Sequence, residues 1–319
     1  RVRREVPVDL RLDTDELRCA EDIRALLEAC DTEARRREVP PPKTLTFGPW
    51  GHDLGCACHV GISDVAVLPR EEAACDTTVE SAIEAFLSTC PIWSAWPLRS
   101  LCLCELRVSK MDGLGEALAA AGAKVLRLQH LALGSALASL LQAFAGCELE
   151  LLDLSGNNLT DADFEMFLKM AGASSPLKLQ GLVLSGNPSI TQVSLEQLCA
   201  SPWGDQLQLL DLSQCSIGPA GAMLLETFLR SSHRLRDLCL YRTGIGSEGV
   251  RRLAAAAANS PSLRALDVTA NAQHGDDWME VLGRPLAHCL AEAKCLKIVT
   301  LSCPENQLKA AEIFQSLPL

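Results

Sequence analysis

The residues best suited to chemistry are cysteines, histidines and paired carboxylates. Cys56, Cys58 and His59 stand together in CACH. Zinc is normally held by two such clusters at defined spacing, and no second one follows; Cys75 and Cys90 stand alone. The segment reads as a Cys-rich loop. Asp276 and Asp277 in HGDDW fall at the start of an expected helix, where the positive end of its dipole already favours carboxylates. Cys102 and Cys104 share one face of an expected strand, and same-face neighbours lie about 7 Å apart, too far for a disulfide. His59, His130, His274 and His288 have no adjacent Ser or Cys in a nucleophile motif, and neither G-x-S-x-G nor G-x-x-x-x-G-K-[ST] occurs. No catalytic residue, metal site or cofactor is expected, and the chain reads as non-enzymatic, with no small-molecule substrate evident.

Composition fits a scaffold. The chain has 319 residues, a net charge of −11 and 48% hydrophobic residues, enough for a core and too apolar for a disordered tail. With one Tyr, five Trp and seven Phe, the core must be built from Leu, Ala, Val and Cys. The 15 Cys show no paired framework and several occupy leucine-like positions, so they read as reduced core residues in the cytoplasm or nucleus. No uncharged apolar run reaches the ~18 residues a membrane span needs. No signal peptide opens the sequence, which starts at Arg1 and is expected to be a fragment of something longer. The acidic balance argues against nucleic acid and for a basic protein partner.

What positions surface residues is a repeat. Its first leucine-like residue falls at Leu98, Ala123, Leu149, Leu179, Leu207, Leu235, Leu263 and Leu296, at spacings of 25, 26, 30, 28, 28, 28 and 33. Each copy opens in strand spacing, with positions 4 and 6 apolar on one face, as Leu238 and Leu240 are. Position 9 is small and polar or thiol-bearing (Asn157, Asn187, Cys215, Thr243, Asn271), suited to bonding backbone groups of a stacked turn. Position 11 returns to apolar, as Leu133, Leu159, Ile217 and Ile245, and a Gly such as Gly221 or Gly249 marks the following turn. A helix then follows. Pro219 suits a helix start, Ser247 a cap, and Val250, Leu253 and Ala254 an inward face.

LQLLDLSQCSIGPAGAMLLETFL and LRDLCLYRTGIGSEGVRRLAAAA resemble the leucine-rich repeat family, and the period near 28 with a full helix is similar to its ribonuclease-inhibitor-like subclass. The resemblance implies an α/β fold: a curved solenoid with parallel strands on the concave face and helices on the convex face. Helices are wider than strands, so a stack of such units must curve. Residues 98–319 carry about eight regular repeats. Residues 1–97 read either as degenerate repeats, with Leu10, Leu12, Leu45 and Phe47 at strand positions, or as a capping piece.

Such a stack works by presenting a surface. The partner-binding residues expected on the concave face or rim are Arg127, Arg236, Tyr241, Arg242, Arg264 and Asp267. Tyr241, the single tyrosine, is expected to project from a strand; Asp267 reads equally as scaffold, since the LDLS aspartate recurs. Trp278 reads as core filler, and Trp93 and Trp96 as a seal before the first regular strand. The resemblance implies an interaction module: scaffold, sensor or inhibitor. The alternative is a regulator of a GTPase, a group that usually carries a strongly acidic tail, which AEIFQSLPL is not.

Overall fold

The computed structural model describes residues 9–13, 32, 36, 44–48, 100–104, 123–134, 137, 148–173, 179–271, 293 and 295–300. Cys56, Cys58, His59, Trp93, Trp96, His274, Asp276, Asp277 and Trp278 lie outside them. The chain divides into two compact units: in the repeats, residues up to Asn157 and Lys169–Lys178 belong to the first, and Asn158–Leu168 and Leu179–Leu319 to the second.

The first unit holds strands β1 (Asp9–Asp13), β2 (Thr44–Gly48), β3 (Ser100–Cys104), β4 (Val125–Gln129) and β5 (Leu151–Asp153). Each pairs in parallel with the next, and one rung aligns Leu10, Leu45, Leu101, Leu126 and Leu152. The second unit holds β6 (Gly181–Val183), β7 (Leu209–Asp211), β8 (Asp237–Cys239), β9 (Ala265–Asp267) and β10 (Ile298–Thr300). These are also parallel in chain order, and their rung aligns Leu182, Leu210, Leu238, Leu266 and Val299. The repeat thus sets the register. A slip of one residue would turn the buried leucines Leu126, Leu152, Leu182, Leu210, Leu238 and Leu266 outward.

Helices alternate with strands: α1 (Asp161–Ala173), α2 (Gln192–Ala200), α3 (Gly218–Ser231) and α4 (Gly246–Asn259). In the second unit α2 packs on α3 and α3 on α4, while strand pairs with strand. This is a solenoid of stacked strand–helix coils. Between the layers lie Leu210, Leu238 and Leu266 from the strands, Leu212, Leu240 and Val268 just after them, and Leu225, Val250, Leu253 and Ala254 from the helices, all buried. Each large one contributes about 1.5–3 kcal/mol of burial.

Helix starts differ from copy to copy. Before α1, Thr160 and Asp163 bond each other's backbone N–H groups (3.3 and 2.9 Å), a reciprocal cap. Pro219 sits in the first turn of α3, as expected. Ser247 does not cap α4: the helix begins at Gly246, and Ile245 occupies the cap position. The reason is burial, because Ile245 must point into the core. Gly221 and Gly249 likewise lie within the first helical turns, not in the turn before them. The described core is built mostly from Leu, Ala, Val, Ile and Cys, with a few aromatics among them. Phe164 and Phe167 are its largest fully buried side chains, with ring centroids 5.6 Å apart. Trp203 meets Phe167 edge-on at 5.3 Å. Phe164, Phe167 and Trp203 thus form one aromatic cluster.

Candidate interaction surface

The turn that follows each strand builds the surface, and two regular features hold it. Repeat position 8 is left-handed in every described copy: φ is +54° at His130, +65° at Gly156, +70° at Gly186, +58° at Gln214, +54° at Arg242 and +57° at Ala270. Position 9 then ties the turn to the preceding coil. In the first unit Asn157 accepts from the Leu131 N–H (2.9 Å) and donates to the Leu128 carbonyl (2.6 Å). In the second, Asn271 accepts from the Thr243 N–H (2.9 Å) and donates to the Leu240 carbonyl. Cys215, in the same place, reaches the Leu184 carbonyl at 3.2 Å.

Position 5 is less open than expected. Asp211, Cys239 and Asp267 are all buried. The Asp267 carboxylate accepts the Thr269 N–H at 2.9 Å, and Asp211 accepts that of Ser213 at 2.8 Å. Adjacent strands lie about 4.8 Å apart, so short side chains in one row shield one another. Of the two readings open for Asp267, these bonds support scaffold.

The remaining residues of the second unit fall at opposite ends of the strands. Tyr241 lies on the turn beyond β8, not on the strand, and is half-buried. Its carbonyl accepts from the Gln214 N–H at 2.6 Å, which fixes the backbone beneath it. Arg242 is exposed, and its guanidinium carbon stands 5.7 Å from the Tyr241 ring centroid. At the strand entries stand Arg236, Arg264 and Lys297, all exposed. Five residues at about 3.3 Å each put roughly 16 Å between Arg236 and Tyr241. Asp237 is half-buried by the entry row. Burial raises its carboxyl above the ordinary range, opposed by the charges of Arg236 and Arg264. Arg127 belongs to the first unit, half-buried on β4 and in register with Asp153 on β5.

Among the described residues no group of three His, Cys, Asp or Glu could hold a metal ion, and no helix is long and apolar enough to cross a membrane. Cys199, Cys215 and Cys295 are free thiols. Burial pushes Cys199 and Cys215 up to about 12, leaving them protonated and poor nucleophiles at neutral pH. Cys239 is disulfide-bonded, which corrects the expectation of reduced cysteines throughout.

Sequence reasoning missed two clusters. Asp161 at the start of α1 accepts bonds from Thr191 and Ser194 of the next coil. On the helix layer, Glu226 of α3 binds Arg230 at 2.8 Å and Arg252 of α4 at 3.1 Å. The Glu226–Arg230 spacing of four residues was a readable signal; the bond to Arg252 was not, since its partner lies one repeat away.

Residues 148–170 match the family model described as Leucine Rich Repeat, and residues 207–225 match a second, described as Leucine Rich repeat. The mouse protein "NACHT, LRR and PYD domains-containing protein 5" is 32% identical over 107 residues, which is 34% of this chain and 9% of the relative. The chain therefore corresponds to a small part of that protein. A chain from the "Crystal structure of Rad7 and Elc1 complex in yeast" superposes with a TM-score of 0.53, covering 92% of this chain and 62% of that one at 16% identity. That likeness is one of fold alone.

Proposed function

We propose that this chain of leucine-rich repeats is a non-enzymatic protein-interaction module, a scaffold, sensor or inhibitor, that grips a protein partner at the rim formed by the turns after its strands. Tyr241 and Arg242 are the anchor. The observation that carries the reading is Arg242 itself. It is exposed, and its guanidinium stands over the single tyrosine on a turn held at φ +54°. The left-handed turn is shared by the other copies, where His130, Gln214 and Ala270 stand at the same position; what sets this copy apart is the cation held over an aromatic ring at an exposed turn. Tyr and Arg supply much of the energy of protein interfaces when a partner dries them. The yeast neighbour, of the same fold, was solved in complex with a second protein, which is compatible with this use.

The finer features belong to the same reading. The 28-residue period with full helices supports the ribonuclease-inhibitor-like subclass. The free thiols of Cys199, Cys215 and Cys295 support the cytoplasm or nucleus; the bonded Cys239 departs from that pattern. The net charge favours a basic partner overall, although the anchor itself is cationic. Nothing described favours nucleic acid or membrane as the partner, and no small-molecule substrate is proposed.

The test is affinity capture with the intact chain against its Tyr241→Ala and Arg242→Glu variants. Each substitution is expected to cost about 2 kcal/mol of affinity, near thirtyfold, for the specific partner. Retention of every specific partner by the double variant would refute the anchor.

A further inference from the structure

The row of side chains at the strand entries, repeat position 2, is self-neutralised in two places and not in a third. In the first unit Lys124 and Glu150 occupy this row on consecutive repeats and form an ion pair at 2.8 Å. In the second unit Gln208 donates to the Gln180 amide oxygen at 2.7 Å. The next three members are Arg236, Arg264 and Lys297. The Arg264 N–H donates to the Arg236 carbonyl (2.7 Å) and the Lys297 N–H to the Arg264 carbonyl (2.8 Å), so the three side chains leave adjacent coils. They therefore start about 5 Å apart. All three are exposed, and among the described residues none of them forms an ion pair. Asp237 is the carboxylate beside them and feels both arginines, but it is one half-buried charge against three cations.

Like charges on adjacent strands repel and cost stability. This row keeps three of them together in a chain of net charge −11, while the equivalent positions elsewhere are matched. We infer that Arg236, Arg264 and Lys297 form a docking ridge for an acidic peptide segment, running across the strands and setting carboxylates against successive cations. The occupant rests on the partner-binding reading above: it is a segment of the protein gripped at Tyr241. A peptide fits better than a nucleic acid. The ridge is only three cations long, and a continuous phosphate backbone leaving it would meet an acidic protein.

The experiment needs no partner. The full chain is titrated into a fluorescein-labelled octaglutamate peptide and anisotropy is read at low and at physiological salt. Binding is expected, weakening as salt rises. Arg236→Gln with Arg264→Gln is expected to weaken it about tenfold, since two rim charges are lost. Arg230→Gln with Arg251→Gln removes the same charge from the helix layer and is expected to leave binding unchanged. Lys297→Gln alone, about threefold weaker, supports the ridge if the double variant melts early. Equal weakening by both double variants, no binding at low salt, or tighter binding of an oligothymidylate of equal charge would each overturn it. If octaglutamate binds as expected while the Tyr241 variant keeps every partner, the ridge stands and the anchor fails. If the anchor variant loses its partner but octaglutamate never binds, the ridge fails alone.

Discussion

Asp161, the first residue of α1, accepts a hydrogen bond from Ser194 Oγ at 2.5 Å, although 33 residues separate them. Its carboxylate also accepts from the Thr191 N–H at 2.8 Å and from Thr191 Oγ1 at 2.7 Å. Thr191 caps α2, so one coil supplies the anion that steadies the next helix start, where N–H groups are left without intrahelical partners. Burial works to raise the Asp161 carboxyl, but the bonds from Ser194 and Thr191 outweigh it and hold the group below the ordinary range.

Asp161→Ala is therefore expected to destabilise the protein by about 2–3 kcal/mol, as for a lost charge-assisted bond that leaves its donors unpaired. The effect has a pH signature. A carboxyl lowered in the folded state adds stability that is present above its unfolded value and lost as pH falls through the folded one. The difference in melting temperature between wild type and variant should be full at neutral pH and close in strong acid. A constant difference across that range would contradict it.

Asp153 has the opposite sign. It is buried, and desolvation raises its carboxyl despite bonds from Ser155 (Oγ 2.5 Å, N–H 3.0 Å) and Gln129 Nε2 (2.6 Å). The folded state then prefers the protonated form, and stability declines as pH rises from the unfolded value of 3.8 toward the raised one. Asp153→Asn removes that penalty. The new amide N–H needs an acceptor, and Gln129 Oε1, buried without a partner, provides one when its amide turns over. Asp153→Asn is expected to melt at or above the wild-type temperature at pH 7; a loss beyond about 1 kcal/mol would show that the charge is needed.

These two aspartates show what the sequence made legible. The leucine rungs were readable because alternation along a strand fixes which side chains meet, and Leu238 and Leu240 needed no distant information. The Asn157 and Asn271 tethers were readable for the same reason, since their spacing puts a small polar group where stacked turns leave backbone unpaired. Asp161 was not, because its meaning depends on Thr191 and Ser194 one repeat away. Ser247 misled because capping propensity was weaker than the demand to bury Ile245. The patch around Tyr241 was half legible. Its residues were named, and their five-residue spacing already parts Arg236 from Tyr241, but counting positions could not show that neighbours bury Asp267.

Gly249 is held by contact. A Cβ added there would lie 3.0 Å from the Ala222 Cβ of α3 and 3.0 Å from the Ile245 Cβ, both too stiff to swing away. Alanine gains about 1 kcal/mol of helix propensity over glycine, but forcing α3 and α4 apart costs about 1–3 kcal/mol. Gly249→Ala is expected to lower stability in denaturant titration. A stabilised variant would mean that the helices separate freely.

Arg242→Gly separates fold from function. At φ +54° the arginine carries a backbone cost of about 1–2 kcal/mol that glycine avoids, while glycine adds about 0.5–1 kcal/mol of unfolded-state entropy. The two nearly cancel, so the melting temperature should hold or rise slightly. The cation over Tyr241 is gone, however, and with it a contact worth about 0.5–2 kcal/mol to the anchor's shape and charge. Partner capture should fall about tenfold or more in a variant that is folded and no less stable. Arg242→Ala keeps the backbone strain and removes the same contact, so it should bind as poorly and melt earlier. If Arg242→Gly holds its partner as tightly as the wild type, the left-handed arginine is an accident of the turn and the anchor is Tyr241 alone.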